Sequence, residues 1–222
     1  MDSIFLSREF IAANRYQPVK HTLDLIIALA MLFLFGPFML VIALCIRISS
    51  PGPVIYRQLR IGKNGIPFVL YKFRSMQVTN NPDLHREYVQ KLIKGNIQPK
   101  DLGKDTLKLI GHPRITGLGK YLRKFSIDEL PQLFNVVKGD MSIVGPRPPM
   151  PYEYEVYAEW HKQRQSVLPG ITGLWQVTKH NTVPFDEMVR IDLAYIQTMN
   201  FWLDMKIMLL TPFEMIRGRA NG

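Results

Sequence analysis

The chain has 222 residues, of which 47% are hydrophobic, and 28 Lys and Arg against 18 Asp and Glu give it a formal net charge of +10. That apolar share excludes global disorder, and the charge calls for an anionic partner: nucleic acid, anionic lipid or a phosphorylated substrate. One cysteine, Cys45, excludes an internal disulfide, and the five histidines show no zinc-ligand spacing.

The first predicted element is a membrane segment. Residues Leu25 to Ile46 form 22 positions without a charge, about 33 Å as a straight helix and long enough to cross a bilayer. A cleaved signal peptide fits poorly, because the run is long and no small-residue cleavage site follows it. Gly36-Pro37 sits mid-run. Pro37 has no N–H for the Phe33 carbonyl, so a kink is expected there. Both flanks are basic, with Arg8, Arg15 and Lys20 before and Arg47, Arg57, Arg60 and Lys63 after. A hairpin that enters and leaves by one face keeps both flanks cytoplasmic; a kinked spanning helix is the alternative. Pattern alone leaves both open.

Val54–Ile61 reads as a strand, Lys63-Asn64-Gly65 as a turn and Pro67–Met76 as a second strand. Leu70, Lys72, Arg74 and Met76 would share one face, basic enough for headgroups or a phosphate. Asn81-Pro82 resembles a helix start, with a helix through Tyr88 and Leu92 to Gly95, followed by a loop over 96–113. Ser126-Ile127-Asp128-Glu129 has the form of a capping box and predicts a helix from Ser126. Gly145-Pro146-Arg147-Pro148-Pro149 is a stiff turn presenting one arginine. Tyr152–Ser166 reads as an amphipathic helix, Pro169–Gly173 as a turn, and Trp175 and Val177 as a short strand. Asp186–Met199 reads as a helix. Phe201–Ile216 is either a core helix broken near Thr211-Pro212 or one lying flat in the membrane interface.

The fold class is therefore α+β and mostly helical. Residues 1–50 read as the N-terminal segment and its membrane helix, and 51–222 as a cytoplasm-facing domain, catalytic if Asp128 and Glu129 work as set out below, that forms one unit with it. P-loop, Rossmann and nucleophile-elbow motifs are absent from the sequence.

The suggestive chemistry is Asp128-Glu129 with Arg123 on one side and Arg147 on the other. Aspartate is ionised at neutral pH and can attack phosphorus without a base, while arginine grips phosphate with a two-pronged fork. The plain alternative is that first-turn carboxylates merely stabilise a helix, by about 0.3–1 kcal/mol.

Residues Arg123 to Pro148, with Asp128-Glu129-Leu130-Pro131-Gln132-Leu133-Phe134-Asn135 at their centre, closely resemble the signature of the bacterial sugar transferases, the monotopic phosphoglycosyl transferases. Tyr71–Met76, Pro169–Val177 and Leu203–Ile207 resemble that family too, so the likeness covers roughly residues 18–216. The resemblance implies a re-entrant helix broken at Gly36-Pro37, where Gly replaces the Ser common in the family. It implies Asp128 as the nucleophile on the β-phosphate of a UDP-sugar, with UMP leaving, and Glu129 as its helper. It assigns Lys72, Arg123 and Arg147 to phosphate, Asp192 and Arg74 to support, and Mg²⁺ to Asp128. Polyprenyl phosphate would accept the sugar phosphate at a bacterial inner membrane, on its cytoplasmic face.

A non-catalytic adaptor binding anionic lipid or a partner protein through the basic face is the competing reading. Nucleic acid has only net charge in its favour. The sugar and the oligomeric state, a homodimer included, stay open.

Overall fold

A computed structural model describes residues 8–77, 93, 115–178 and 183–216, with side chains from Tyr16 onward. The helix expected after Asn81 and the loop over 96–113 lie outside the described residues, apart from the helical, buried Ile93.

Helix α1 runs from Arg8 to Ser49 as one element, with both Pro18 and Pro37 inside it. Its Tyr16–Ser49 portion is long and apolar enough to cross a membrane. Large side chains face outward along its middle, from Phe33, 90% exposed, to Leu40, Val41 and Leu44. A space without neighbours lies beside Gly36, so nothing in the packing requires glycine there.

The two ends of α1 are tied down by buried polar groups. Lys20 Nζ lies 2.6 Å from Asp204 Oδ2, and the Tyr16 and Tyr195 hydroxyls donate to the same carboxylate at 2.9 and 2.7 Å. Asp24 accepts from Ser142 Oγ at 2.6 Å and from the Ile143 N–H at 3.2 Å. At the far end, Arg74 donates to the carbonyls of Ser50 (2.6 Å), Pro51 (2.9 Å) and Ile46 (3.4 Å). A helix leaves its last carbonyls without partners, and a guanidinium both satisfies them and matches the negative end of the dipole. Lys20 and Arg60, counted above among the basic flanks, are buried inside the chain.

The hairpin forms as the Asn-Gly turn demands. Strand β1 (Ile55–Ile61) pairs antiparallel with β2 (Pro67–Phe73), from Ile55 opposite Phe73 to Ile61 opposite Pro67. Asn64 (φ 58°) and Gly65 (φ 76°) take the left-handed conformations that close it. Phe68 and Leu70 enter the main core, whereas Phe73 joins Met39, Ile42 and Ile46 of α1.

Helix α2 (Gly117–Lys124) is capped by Thr116, whose Oγ1 accepts the Gly119 N–H at 2.9 Å. The capping box expected at Ser126 does not form. Ser126 is left-handed (φ 53°) and makes no side-chain cap bond; Ile127–Glu129 is a single 3₁₀ turn, and helix α3 begins only at Gln132 and ends at Lys138. Pro131 is the reason: a helix from Ser126 would need its missing N–H to reach the Ile127 carbonyl.

Beyond it, strand β3 (Ser142–Val144) runs parallel to β4 (Gly170–Thr172). Between them the expected amphipathic helix is three short pieces: α4 (Pro151–Tyr154), α5 (Glu159–Lys162) and a 3₁₀ turn over Gln163–Ser166. Ala158 is extended, and its N–H caps onto His161 Nδ1 at 3.2 Å, which starts a new turn there. The strand expected at Trp175 is instead helix α6 (Leu174–Thr178). Helices α7 (Phe185–Thr198) and α8 (Phe201–Ile216) complete the chain, α8 continuing through Pro212 rather than breaking. It buries Asp204 and Ile207 and exposes Trp202 (78%), Leu209 and Phe213.

Candidate active site

The site is built around the 3₁₀ turn that Pro131 enforces. The turn packs against both α2 and β2 and carries a buried Asp128 beside a half-buried Glu129. Lys72 on β2 reaches across, its Nζ 2.7 Å from Glu129 Oε1.

The distance between strand and turn is set by Asn135 on α3, which is fully buried. Its Oδ1 accepts the Tyr71 N–H at 3.0 Å and its Nδ2 donates to the Val69 carbonyl at 2.7 Å. The amide thus replaces a neighbouring strand along the free edge of β2, on either side of Leu70.

Arg147 sits on the loop after β3. The loop is held from two directions. Gly170 N–H donates to the Pro146 carbonyl at 2.9 Å, and Ile61 N–H donates to that of Pro149, also at 2.9 Å. Arg60 Nη1 donates to Pro148 O at 2.8 Å. Burial, and then the neighbouring Arg147, push the Arg60 guanidinium down to about 10; Glu153, Tyr152 and Glu129 act on it in the opposite sense.

Asp192 lies buried on α7. Its Oδ2 lies 2.6 Å from Arg164 Nη2, an ion pair with both groups buried. Arg164 Nη1 also donates to the Tyr157 hydroxyl at 3.2 Å. Burial pushes the Asp192 carboxyl up to about 6 against the pull of Arg164. Arg123 turns its Nη1 to Met76 Sδ at 3.4 Å. Arg74 is engaged with the carbonyls at the end of α1.

Residues 15–218 match the family model described as bacterial sugar transferase. The chain belongs to that family. It is 45% identical over 200 residues to the galactosyl transferase CpsE of Streptococcus agalactiae, covering 90% of this chain and 42% of that protein. It is 40% identical over 200 residues to the undecaprenyl-phosphate galactose phosphotransferase of Salmonella typhimurium, covering 90% and 40%. These two relatives are thus matched over about two fifths of their length. The exopolysaccharide production protein ExoY of Rhizobium meliloti is 36% identical over 192 residues, and there the match covers 83% of the relative.

The hairpin and the carboxylate turn fall inside the matched range, and α1 does so from residue 15 onward. Sequence reasoning missed Arg60, Asn135 and Arg164. Arg60 had a usable signal: the register of an Asn-Gly hairpin places it opposite Phe68, on the face that carries Leu70 and Lys72. Asn135 and Arg164 had none, since their partners are distant in sequence. For a divalent cation, the described residues contain no group of three His, Cys, Asp or Glu side chains. The adjacent carboxylates of Asp128 and Glu129 suit Mg²⁺ only as part of a site completed by substrate phosphates and water, the usual manner of that ion.

Proposed function

We propose that this chain transfers a sugar 1-phosphate from a UDP-sugar to polyprenyl phosphate, releasing UMP. The observation that carries this reading is the buried Asp128 on a turn whose neighbour, Glu129, is held by Lys72. We assign Asp128 to the covalent chemistry and Glu129, ion-paired to Lys72, to supporting it, with Arg147 and Arg60 supplying positive charge.

Asp128 Oδ attacks the β-phosphorus. The bond from that phosphorus to the bridging oxygen breaks, and UMP leaves with the electron pair. The sugar phosphate stays on Asp128 as an acyl phosphate. An oxygen of polyprenyl phosphate then attacks the same phosphorus, the Asp128 carboxylate departs, and a polyprenyl diphosphate sugar results. Arg147, Arg123 and Lys72 balance the phosphate charges. Asp128 and Glu129 would hold Mg²⁺, whose chemistry is to neutralise charge on the pyrophosphate.

The reading includes the place of the reaction. A lipid phosphate lies at headgroup depth, so the nucleophile must lie there. We read α1 as re-entrant at Gly36-Pro37, and the exposed Trp202, Leu209 and Phe213 of α8 as lying in the interface on the cytoplasmic face. The relatives' names mention galactose; the sugar used here is left to experiment. Incubating the protein in detergent with a panel of UDP-sugars and undecaprenyl phosphate, and following UMP, tests the proposal. UMP from at least one sugar supports it; none from any sugar overturns it.

A further inference from the structure

Helix α6 starts directly after Gly173, which is buried. A Cβ on Gly173 would stand 2.5 Å from the Gly145 carbonyl oxygen and 3.1 Å from Gln176 Oε1. Residues three apart share one helix face, so Gln176 folds its amide back over the glycine. Gly145 opens the turn that presents Arg147. That turn is fixed from the same side: Gly145 N–H donates to the Thr172 carbonyl and Gly170 N–H to the Pro146 carbonyl, both at 2.9 Å. The Gln176 amide is thereby held against the base of the Arg147 turn.

Gln176 Oε1 is buried and accepts no hydrogen bond. A buried acceptor without a donor is costly and calls for an explanation. The group across from it, Gly145 O, is a carbonyl and has no proton to give. The backbone N–H groups close by are committed, those of Gly145 and Gly170 as above and that of Val177 to the Gly173 carbonyl at 3.3 Å.

We infer that Gln176 is a specificity-determining residue, whose Oε1 accepts a hydrogen bond from the nucleotide sugar. The inference rests on the transferase reading, which assigns Arg147 to the phosphates of that molecule. Two parts of it carry donors: the hydroxyls of the transferred sugar, and the hydroxyls and imide N–H of the nucleoside. An amide suits this place where a carboxylate would not, because a negative charge beside the phosphates would repel them. A site built to pair with a ligand's O–H or N–H also rejects analogues that lack it, since the buried oxygen is then left alone.

Thermal melting of the full chain in detergent, titrated with UMP, UDP-glucose and UDP-galactose, tests this. Gln176→Met keeps the length and removes the acceptor. Without ligand it should melt at the wild-type temperature or above, because no hydrogen bond is lost. Its half-saturating concentration should rise about tenfold for at least one probe, the scale of one hydrogen bond. A rise for UMP and the UDP-sugars alike assigns the donor to the nucleoside; a rise for a UDP-sugar alone assigns it to the sugar. A structural glutamine, its amide turned over to give an N–H to Gly145 O, behaves otherwise: Gln176→Met melts lower and binds every probe as the wild type does. An Oε1 served by water alone leaves all binding unchanged as well. Either result overturns the inference while leaving the transferase reading in place. If Gln176→Met does not fold, Gln176→Asn decides, since it keeps the amide but withdraws it by one methylene. Weaker binding of a probe at an unchanged unliganded melting temperature supports the inference, and unchanged binding overturns it. A wild type that none of the probes stabilises removes the transferase reading and this inference with it.

Discussion

Lys72 Nζ lies 2.7 Å from Glu129 Oε1, joining the second hairpin strand to the turn that carries Asp128. Both side chains keep about a fifth to a quarter of their surface exposed. Such a pair is worth about 1 kcal/mol or less in stability, so its value to the protein lies in what it does to the site. Lys72→Met should therefore melt close to the wild type while UMP release falls about tenfold to a hundredfold, the cost of losing one charged contact to a reacting group. Parallel melting and UMP-release assays check this. A fall in melting temperature large enough to account for the lost activity would contradict it.

Asn135 is the structural counterpart of that pair. Replacing it with Leu keeps the volume but removes the partner of the half-buried Tyr71 N–H and of the Val69 carbonyl. Each unsatisfied group costs about 1–3 kcal/mol. The variant should unfold at clearly lower denaturant concentration, and amide exchange along β2 should rise before exchange elsewhere. Unchanged protection at Tyr71 would show that the amide is not the strand's partner.

Arg74 is expected to hold the end of α1 and not the membrane. Arg74→Gln should leave the protein membrane-bound, with faster exchange at the last turn of α1, from Ile46 to Ser50. Release of the domain from vesicles would instead favour the adaptor reading, in which the basic face of the hairpin provides attachment.

The glycines of the parallel strand pair permit backbones to touch. A Cβ on Gly145 would stand 2.6 Å from the Leu168 carbonyl oxygen, and one on Gly170 would collide with the Gly145 nitrogen. Gly170→Ala should not accumulate as folded protein, whereas Gly36→Ser, in open space, should fold normally. Expression and melting of the two variants side by side measure the contrast.

Two buried groups give stability opposite pH slopes. Burial lowers the affinity of His161 for a proton, opposed by Asp186. Below its ordinary value the unfolded chain binds that proton better, so this stability is lost as pH falls. Asp192, raised to about 6, does the reverse: the folded chain holds its proton, and stability declines as pH rises from about 4 to about 6. His161→Gln removes the first slope alone. The difference in melting temperature between wild type and this variant should narrow from pH 7.5 to 5.5; a constant difference would show that His161 does not carry it.

These pairings also mark how far the sequence could be read. The hairpin was legible because Asn-Gly turn chemistry and strand alternation agree. Helix α7 was legible from its apolar spacing. At Ser126 local rules misled, because a proline five residues on vetoed the helix that the capping pattern invited. At Trp175 the glycines around Gly173 looked like a turn before a strand, whereas they allow two strands to meet and a helix to follow. Asp128 and Glu129 were visible as residues, but only likeness to a family gave them chemistry. Arg60, Arg164 and Asn135 act on partners far along the chain, which no local pattern encodes.

The central claim is a covalent sugar phosphate on Asp128. Intact-mass analysis after mixing the protein with its UDP-sugar, with no polyprenyl phosphate present, tests it directly. The account predicts one added sugar phosphate per chain, located to the peptide containing Asp128, lost on adding polyprenyl phosphate and absent from Asp128→Asn. UMP release at the wild-type rate by Asp128→Asn, or transfer that never leaves an adduct on the chain, would contradict it.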